Sequence, residues 1–138
     1  MTSLNIFIVD DNLQFREVLK FYLENILHHK VIGEAKDGTE FLELIHNLYP
    51  DAILMDISMP KMSGIEASKK FLQENVTNKI IAITNFEDIT YLNELIEAGI
   101  KGCVFKKDIY EHLQAALSRV MMNEIYFPKN TNLKIKNT

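Results

Sequence analysis

Two rhythms of apolar residues alternate along this chain. Short, nearly continuous apolar runs occur at Leu4 to Val9, Ala52 to Met55, Ile80 to Ile83 and Gly102 to Phe105. Runs of that length, rich in β-branched residues, read as strands covered on both faces. Val31 to Ala35 is shorter and half polar, as suits an edge strand. Between the runs, apolar residues recur at helical spacing. Phe15, Val18, Leu19, Tyr22, Leu23 and Ile26 predict one stripe on a helix of about 15 residues. Asp37 to Glu40 is a turn with a capping box, and it opens a helix whose core face is Phe41, Leu44, Ile45 and Leu48, closed by Pro50. Ser63 to Glu66 is a second capping box, with a helix to about Glu74. Ile89, Leu92, Leu95 and Ile96 mark a fourth helix, ended by Gly99 in the C′ position. Asp108 to Glu111 is expected to cap the last helix, whose stripe is Ile109, Leu113, Ala116, Leu117 and Val120. Five alternations of strand and helix predict an α/β fold: a five-stranded, doubly wound parallel sheet with helices on both faces.

Composition narrows the class without changing that picture. At 138 residues the chain is one domain by length, with enough bulk for a proper core. Its apolar fraction of 47% and charged fraction of 25% are those of an ordinary globular protein. No apolar run approaches the roughly 20 residues that span a bilayer. The N-terminus lacks a basic segment followed by a long apolar one, so no secretory signal is expected. Cys103, the lone cysteine, has no internal disulfide partner and fits a reducing, cytoplasmic location. A net charge of −4 argues against a broad basic face that grips nucleic acid.

Chemistry enters at the ends of the predicted strands. In a doubly wound sheet, ligands gather at the carboxyl ends of the strands, beside the switch point in strand order. The residues there are Asp10 and Asp11, Asp56, Thr84 and Lys106. Each alone has an ordinary reading: Asp11 or Asn12 as a helix cap, Thr84 as a strand-end hydroxyl, Lys106 as a solvated lysine. Together they are complementary. Three carboxylates repel one another, and a hard divalent cation such as Mg²⁺ relieves that repulsion. Asp56, at the exit of a buried strand, is then the nucleophile that accepts a phosphoryl group. Lys106 supplies a point charge, and the Thr84 hydroxyl donates to a phosphate oxygen. The Ser58 backbone carbonyl is a further candidate metal ligand.

This order of Asp-Asp, Asp, Thr and Lys on alternating strands resembles the receiver domain of two-component response regulators. The resemblance covers roughly residues 4 to 122, and Asp56 to Gly64 is similar to the family's phosphoacceptor loop. Gly38 and Ala98-Gly99 also sit where the family places them. It implies a flavodoxin-like sheet of order 2-1-3-4-5, phosphorylation of Asp56 by a histidine kinase, and Mg²⁺ at Asp10, Asp11, Asp56 and the Ser58 carbonyl. It also implies phosphoryl contacts from Thr84 and Lys106. By the same resemblance the domain is expected to act as a switch that catalyses only its own phosphorylation and dephosphorylation. A homodimer through the 89–99 and 109–122 helices is a common receiver arrangement.

Three positions depart from the family pattern. Cys103 stands where many receivers carry an aromatic switch residue. Asn85 follows the threonine, where a small residue is usual. Lys107 follows the lysine in place of proline, and its bond is expected trans, because a non-proline cis bond costs about 2.5 to 4 kcal/mol. Asn85 and Cys103 are therefore candidate modulators of the switch. Lys106-Lys107-Asp108 and the segment Asn123 to Pro128 resemble the subfamily with a LuxR/NarL-type helix-turn-helix output. Residues 1–122 are read as the receiver, and 123–138 as a linker or disordered tail without the output domain. DNA would then be met only through a domain that this chain lacks; no membrane contact is expected. The receiver half of a longer regulator is favoured over a stand-alone receiver.

Other readings compete. An atypical receiver used only for protein interaction keeps the fold and drops the chemistry. A carboxylate-nucleophile phosphatase would place Asp-x-Asp after the first strand, where this chain has Asp10-Asp11-Asn12. A flavoprotein of the same fold would meet the acidic pair where flavin phosphate must bind. His28, His29, His46 and His112 are read as surface or packing residues, Cys103 as a buried inert thiol, and Met121-Met122 as core filler or a partner face.

Overall fold

The computed structural model describes residues 2–85 and 89–128, leaving aside the side chains of residues 89 and 90. The apolar runs form β1 (Asn5–Val9), β3 (Ala52–Asp56), β4 (Ile80–Thr84) and β5 (Gly102–Phe105), and the half-polar run forms β2 (Lys30–Ala35). All pair in parallel, in the order β2-β1-β3-β4-β5, the doubly wound flavodoxin-like arrangement. The half-polar strand lies at one edge, as its composition predicts.

Alternation along each strand sends successive side chains to opposite faces, so there are two cores. Phe7, Val9, Ile53, Met55, Ile80 and Ala82 pack under helices α2 (Gly38–Leu44), α3 (Gly64–Glu74) and α4 (Ile89–Glu97). Ile6, Ile8, Leu54, Ile81, Ile83 and Val104 pack under α1 (Leu13–Phe21) and α5 (Ile109–Met121). Full burial of such side chains contributes about 1.5–3 kcal/mol each, and both cores hold the strand exits in register.

Three local expectations give way to the structure. The first helix passes at Phe21 into a π turn, Tyr22–Ile26, where Leu27 N–H donates to the Tyr22 carbonyl. That extra residue per turn hands the stripe from Ile26 to Leu27, so Ile26 is exposed. Val18, about 100° around the helix from Leu19, is exposed as well. The second helix ends at Leu44, which is also exposed, and continues as a 3₁₀ turn. Asp108 makes no side-chain cap, because the chain enters α5 through a 3₁₀ turn over Lys106–Asp108. By contrast, Asp37 Oδ1 accepts from Glu40 N–H at 2.8 Å and Ser63 Oγ accepts from Glu66 N–H at 3.2 Å, the N-cap half of each expected capping box, while Glu40 Oε1 accepts from Lys36 N–H and Glu66 pairs with Lys70. Gly99 takes the left-handed conformation, φ 92°, that suits glycine after a helix.

After α5 the chain returns to the open edge of β5. Tyr126 N–H donates to the Lys101 carbonyl, and Cys103 N–H donates to the Tyr126 carbonyl at 2.8 Å. Tyr126 packs on the α5 side of the sheet and Phe127 on the α4 side, which blunts an otherwise exposed strand edge. Residues 129–138 of the expected tail lie outside the described residues. No described helix is long and apolar enough to cross a membrane.

Candidate functional site

The parallel register fixes the site. Val9 pairs with Met55, and Asp56 with Ile83, so Asp10 leaves β1 level with the end of β3. Asp10 and Asp56 are nearly fully buried, while Asp11 is exposed at the mouth. Carboxylate oxygens of Asp10, Asp11 and Asp56 all lie within 4.8 Å of one another. Lys106, in the turn after β5, places Nζ 2.7 Å from Asp10 Oδ2 and 3.6 Å from Asp56 Oδ2. Asp10 Oδ2 is buried without an aligned hydrogen bond, so the ammonium is what meets its charge. Thr84, also buried, ends β4, and Asn85 follows it at the surface. Ser58 lies two residues beyond Asp56, and its N–H donates to Asp56 Oδ1 at 3.3 Å.

Helix capping at the site falls to Asn12. Its Oδ1 accepts from Phe15 N–H at 3.0 Å, which leaves the Asp11 carboxylate for the cluster. Asp10 Oδ1 accepts from Asn12 N–H at 2.8 Å, fixing which oxygen turns inward.

Electrostatics follow from this packing. Burial, and then the neighbouring Asp10 carboxylate, push Asp56 from 3.8 to about 7, against the lowering effect of Lys106 and the Ser58 N–H. At neutral pH Asp56 is thus poised between acid and carboxylate. An oxygen-only donor set of three crowded carboxylates, faced by a single ammonium, fits a small hard cation such as Mg²⁺. Asp10, Asp11 and Asp56 could hold it.

The loop after Asp56 is set by one close approach. A Cβ at Gly64 would stand 2.0 Å from the Asp56 carbonyl oxygen, and Gly64 N–H donates to the Ile57 carbonyl. Gly64→Ala is expected to cost about 3 kcal/mol or more, since backbone cannot yield as a flexible side chain does. Thermal unfolding of the variant checks this.

Lys106, Asp10, Asp11, Asp56 and Thr84 thus all stand at the strand exits. Cys103 is buried within β5, where burial pushes its thiol up to about 12, so it is inert. The histidines stand apart from the site. His29, nearly fully buried, accepts from Leu4 N–H at Nδ1 and meets Gln114 at Nε2, a packing role. Met121 packs on the α5 core, and Met122 is exposed. A groove of about 550 Å³, lined in part by Leu48, Asp51, Asn78 and Lys79, lies at the amino ends of β3 and β4, at the opposite end of the strands from Asp56.

Two site neighbours were not legible in the sequence. The Phe15 ring lies 4.4 Å from Lys106 Nζ, a cation–π contact that helps to hold the lysine beside Asp10 and Asp56. Arg16 donates to the Asp10 carbonyl at 2.5 Å and to Glu34 Oε1 on β2 at 3.3 Å. The only sequence signal for either was the position of both in the first turn after the acidic pair.

Comparison with known proteins agrees with the geometry. The model of the response regulator receiver domain matches residues 6–118. The chain belongs to the response regulator receiver family. It is 32% identical over 135 residues to the transcriptional regulatory protein DegU of Brevibacillus brevis, covering 97% of this chain and 57% of that protein. It is 41% identical over 108 residues to the transcriptional regulatory protein YdfI of Bacillus subtilis (strain 168), covering 78% and 50%. Among solved structures, a LuxR-family two-component response regulator from Aurantimonas sp. SI85-9A1 superposes with a TM-score of 0.86 at 26% identity, covering 91% of this chain and 89% of that one. The chain spans about half the length of the curated relatives it matches.

Proposed function

We propose that this chain is a phosphorylation-controlled switch of a two-component system, with Asp56 as the phosphoacceptor. The observation that carries this reading is the carboxylate triad within 4.8 Å, faced by Lys106 at 2.7 Å from Asp10. An Asp56 oxygen attacks the phosphorus of a phosphohistidine on a histidine kinase. The O–P bond forms as the P–N bond breaks, and the electron pair returns to the imidazole. Asp10, Asp11, Asp56 and the Ser58 carbonyl would hold Mg²⁺, which offsets charge on the phosphoryl oxygens when bound. Lys106 balances the remaining negative charge, and the Thr84 hydroxyl donates to a phosphoryl oxygen, so its position reports phosphorylation. Asn85 and Cys103 modulate access and the form of the signal.

The receiver is read as residues 1–122 and 123–138 as a linker or tail that starts against the sheet, with Tyr126 on the β5 edge and Phe127 on the α4 side, and the location as cytoplasmic. Its own chemistry is limited to taking up and losing the phosphoryl group. A transcriptional output, DNA contact included, belongs to the further length that its relatives have, and α4 with α5 offers a candidate face for a homodimer. No observation favours the phosphatase or the interaction-only reading.

Acetyl phosphate with Mg²⁺ is expected to add the mass of one phosphoryl group to the intact protein, and EDTA to prevent it. Absence of both an adduct and any Mg²⁺-dependent change would overturn the reading.

A further inference from the structure

We propose that Arg16, locked by Glu34, is the residue that positions Asp10 for the metal-binding cluster, an inference that rests on the phosphoacceptor reading. Asp10 is the first residue beyond β1, so the β1–β3 ladder ends at Val9 and Met55 and does not hold it. Its main chain is fixed instead from the other side. Its N–H donates to the Ala35 carbonyl of β2, and its carbonyl accepts from Arg16 Nη1 at 2.5 Å. The same guanidinium pairs through Nε with Glu34 Oε1, and Lys20 Nζ lies 3.7 Å from the other Glu34 oxygen. One mostly buried arginine therefore spans α1, the end of β1 and the edge strand β2.

The Arg16 guanidinium bonds to the Asp10 carbonyl, so it acts on the cluster by holding the Asp10 main chain against the repulsion of carboxylates crowded within 4.8 Å. A planar guanidinium can serve a carbonyl and a carboxylate at once, whereas a lysine ammonium on a flexible stem acts as a point charge.

The test is Mg²⁺ titration calorimetry on the full chain, beside thermal unfolding in metal-free buffer and beryllofluoride binding by ¹⁹F NMR. Arg16→Ala and Arg16→Lys are both expected to weaken Mg²⁺ binding about tenfold or more, the usual size for residues that orient metal ligands. Beryllofluoride binding should weaken in parallel. Glu34→Gln should weaken Mg²⁺ binding by less, in the same direction. If Arg16→Ala lowers the melting temperature but binds Mg²⁺ like the parent, Arg16 is merely structural and the proposal fails. Full rescue by Arg16→Lys also overturns it, since charge alone would then suffice. Should Arg16→Ala not fold, parental Mg²⁺ affinity in Glu34→Gln overturns it in the same way. A parent chain without any Mg²⁺ response sinks the phosphoacceptor reading itself, a result distinct from selective loss in the Arg16 variants.

Discussion

Asp56→Asn is expected to abolish the phosphoryl adduct and, in metal-free buffer at pH 8, to melt at a higher temperature than the parent. Both results come from the same burial. The asparagine amide is no nucleophile, so the acceptor is gone. The parent, however, carries an ionised Asp56 in a site that resists its charge, with Asp10 and Asp11 as like-charged neighbours. Its pKa rises from 3.8 in the unfolded chain to about 7 in the fold, so the folded state holds the proton more tightly. The associated stability is complete below pH 4, is lost as pH rises toward 7, and is absent above that. A shift of that size has a ceiling of about 4 kcal/mol. Relaxation and the nearby Lys106 leave a realistic gain for Asp56→Asn of about 1–3 kcal/mol. For a domain of this length that raises the melting temperature by roughly 3–10 °C. Adding Mg²⁺ should stabilise the parent by mass action and leave the variant nearly unmoved. Calorimetric scans at pH 5 and pH 8, with and without Mg²⁺, separate the two terms. Equal melting of parent and variant at pH 8 would show that the fold carries no such penalty.

Most of the site could be read from the sequence because topology does the assembling. Once four buried runs alternate with helices, their exits must share one edge of the sheet, and the residues at those exits converge without any knowledge of loops. Asp10, Asp11, Asp56, Thr84 and Lys106 are all of this kind. What escaped depends on local irregularity or on contacts distant in sequence. Ile26 was misplaced because a π turn breaks the 3.6-residue period, and a period cannot announce its own interruption. Asp108 looked like a cap by residue type, but the 3₁₀ turn at Lys106 already directs the chain into α5. His29 gave no sign that its partners would be Leu4 and Gln114, 25 and 85 residues away. Arg16 belongs with His29. Its neighbours in sequence mark it as an ordinary helix residue, and only the edge position of β2 brings Glu34 across to meet it. Such residues hold the frame of a site, and composition at the strand ends does not reveal them.

Mg²⁺ affinity should fall steeply as the solution is acidified through neutrality, well above the range in which ordinary carboxylates titrate. Asp56 titrates at about 7 in the metal-free fold, so below that pH the cation must displace a proton to use its oxygen. Apparent affinity is then expected to be level above about pH 8 and to drop about tenfold per unit below 7. Unperturbed aspartates, near 3.9, would instead give an affinity that is flat to about pH 5. The same linkage works in reverse: saturating Mg²⁺ draws the proton off Asp56, so phosphorylation by acetyl phosphate at high Mg²⁺ should stay active to lower pH than at limiting Mg²⁺. Calorimetric titrations at pH 5.5, 6.5, 7.5 and 8.5, in buffers of differing ionisation heat, read both the affinity and the protons released. Release of close to one proton per Mg²⁺ near pH 6, fading above pH 8, is the expected signature. An affinity that stays level from pH 8.5 to 5.5 would mean that Asp56 is ionised throughout, and that Lys106, 3.6 Å away, outweighs both burial and Asp10.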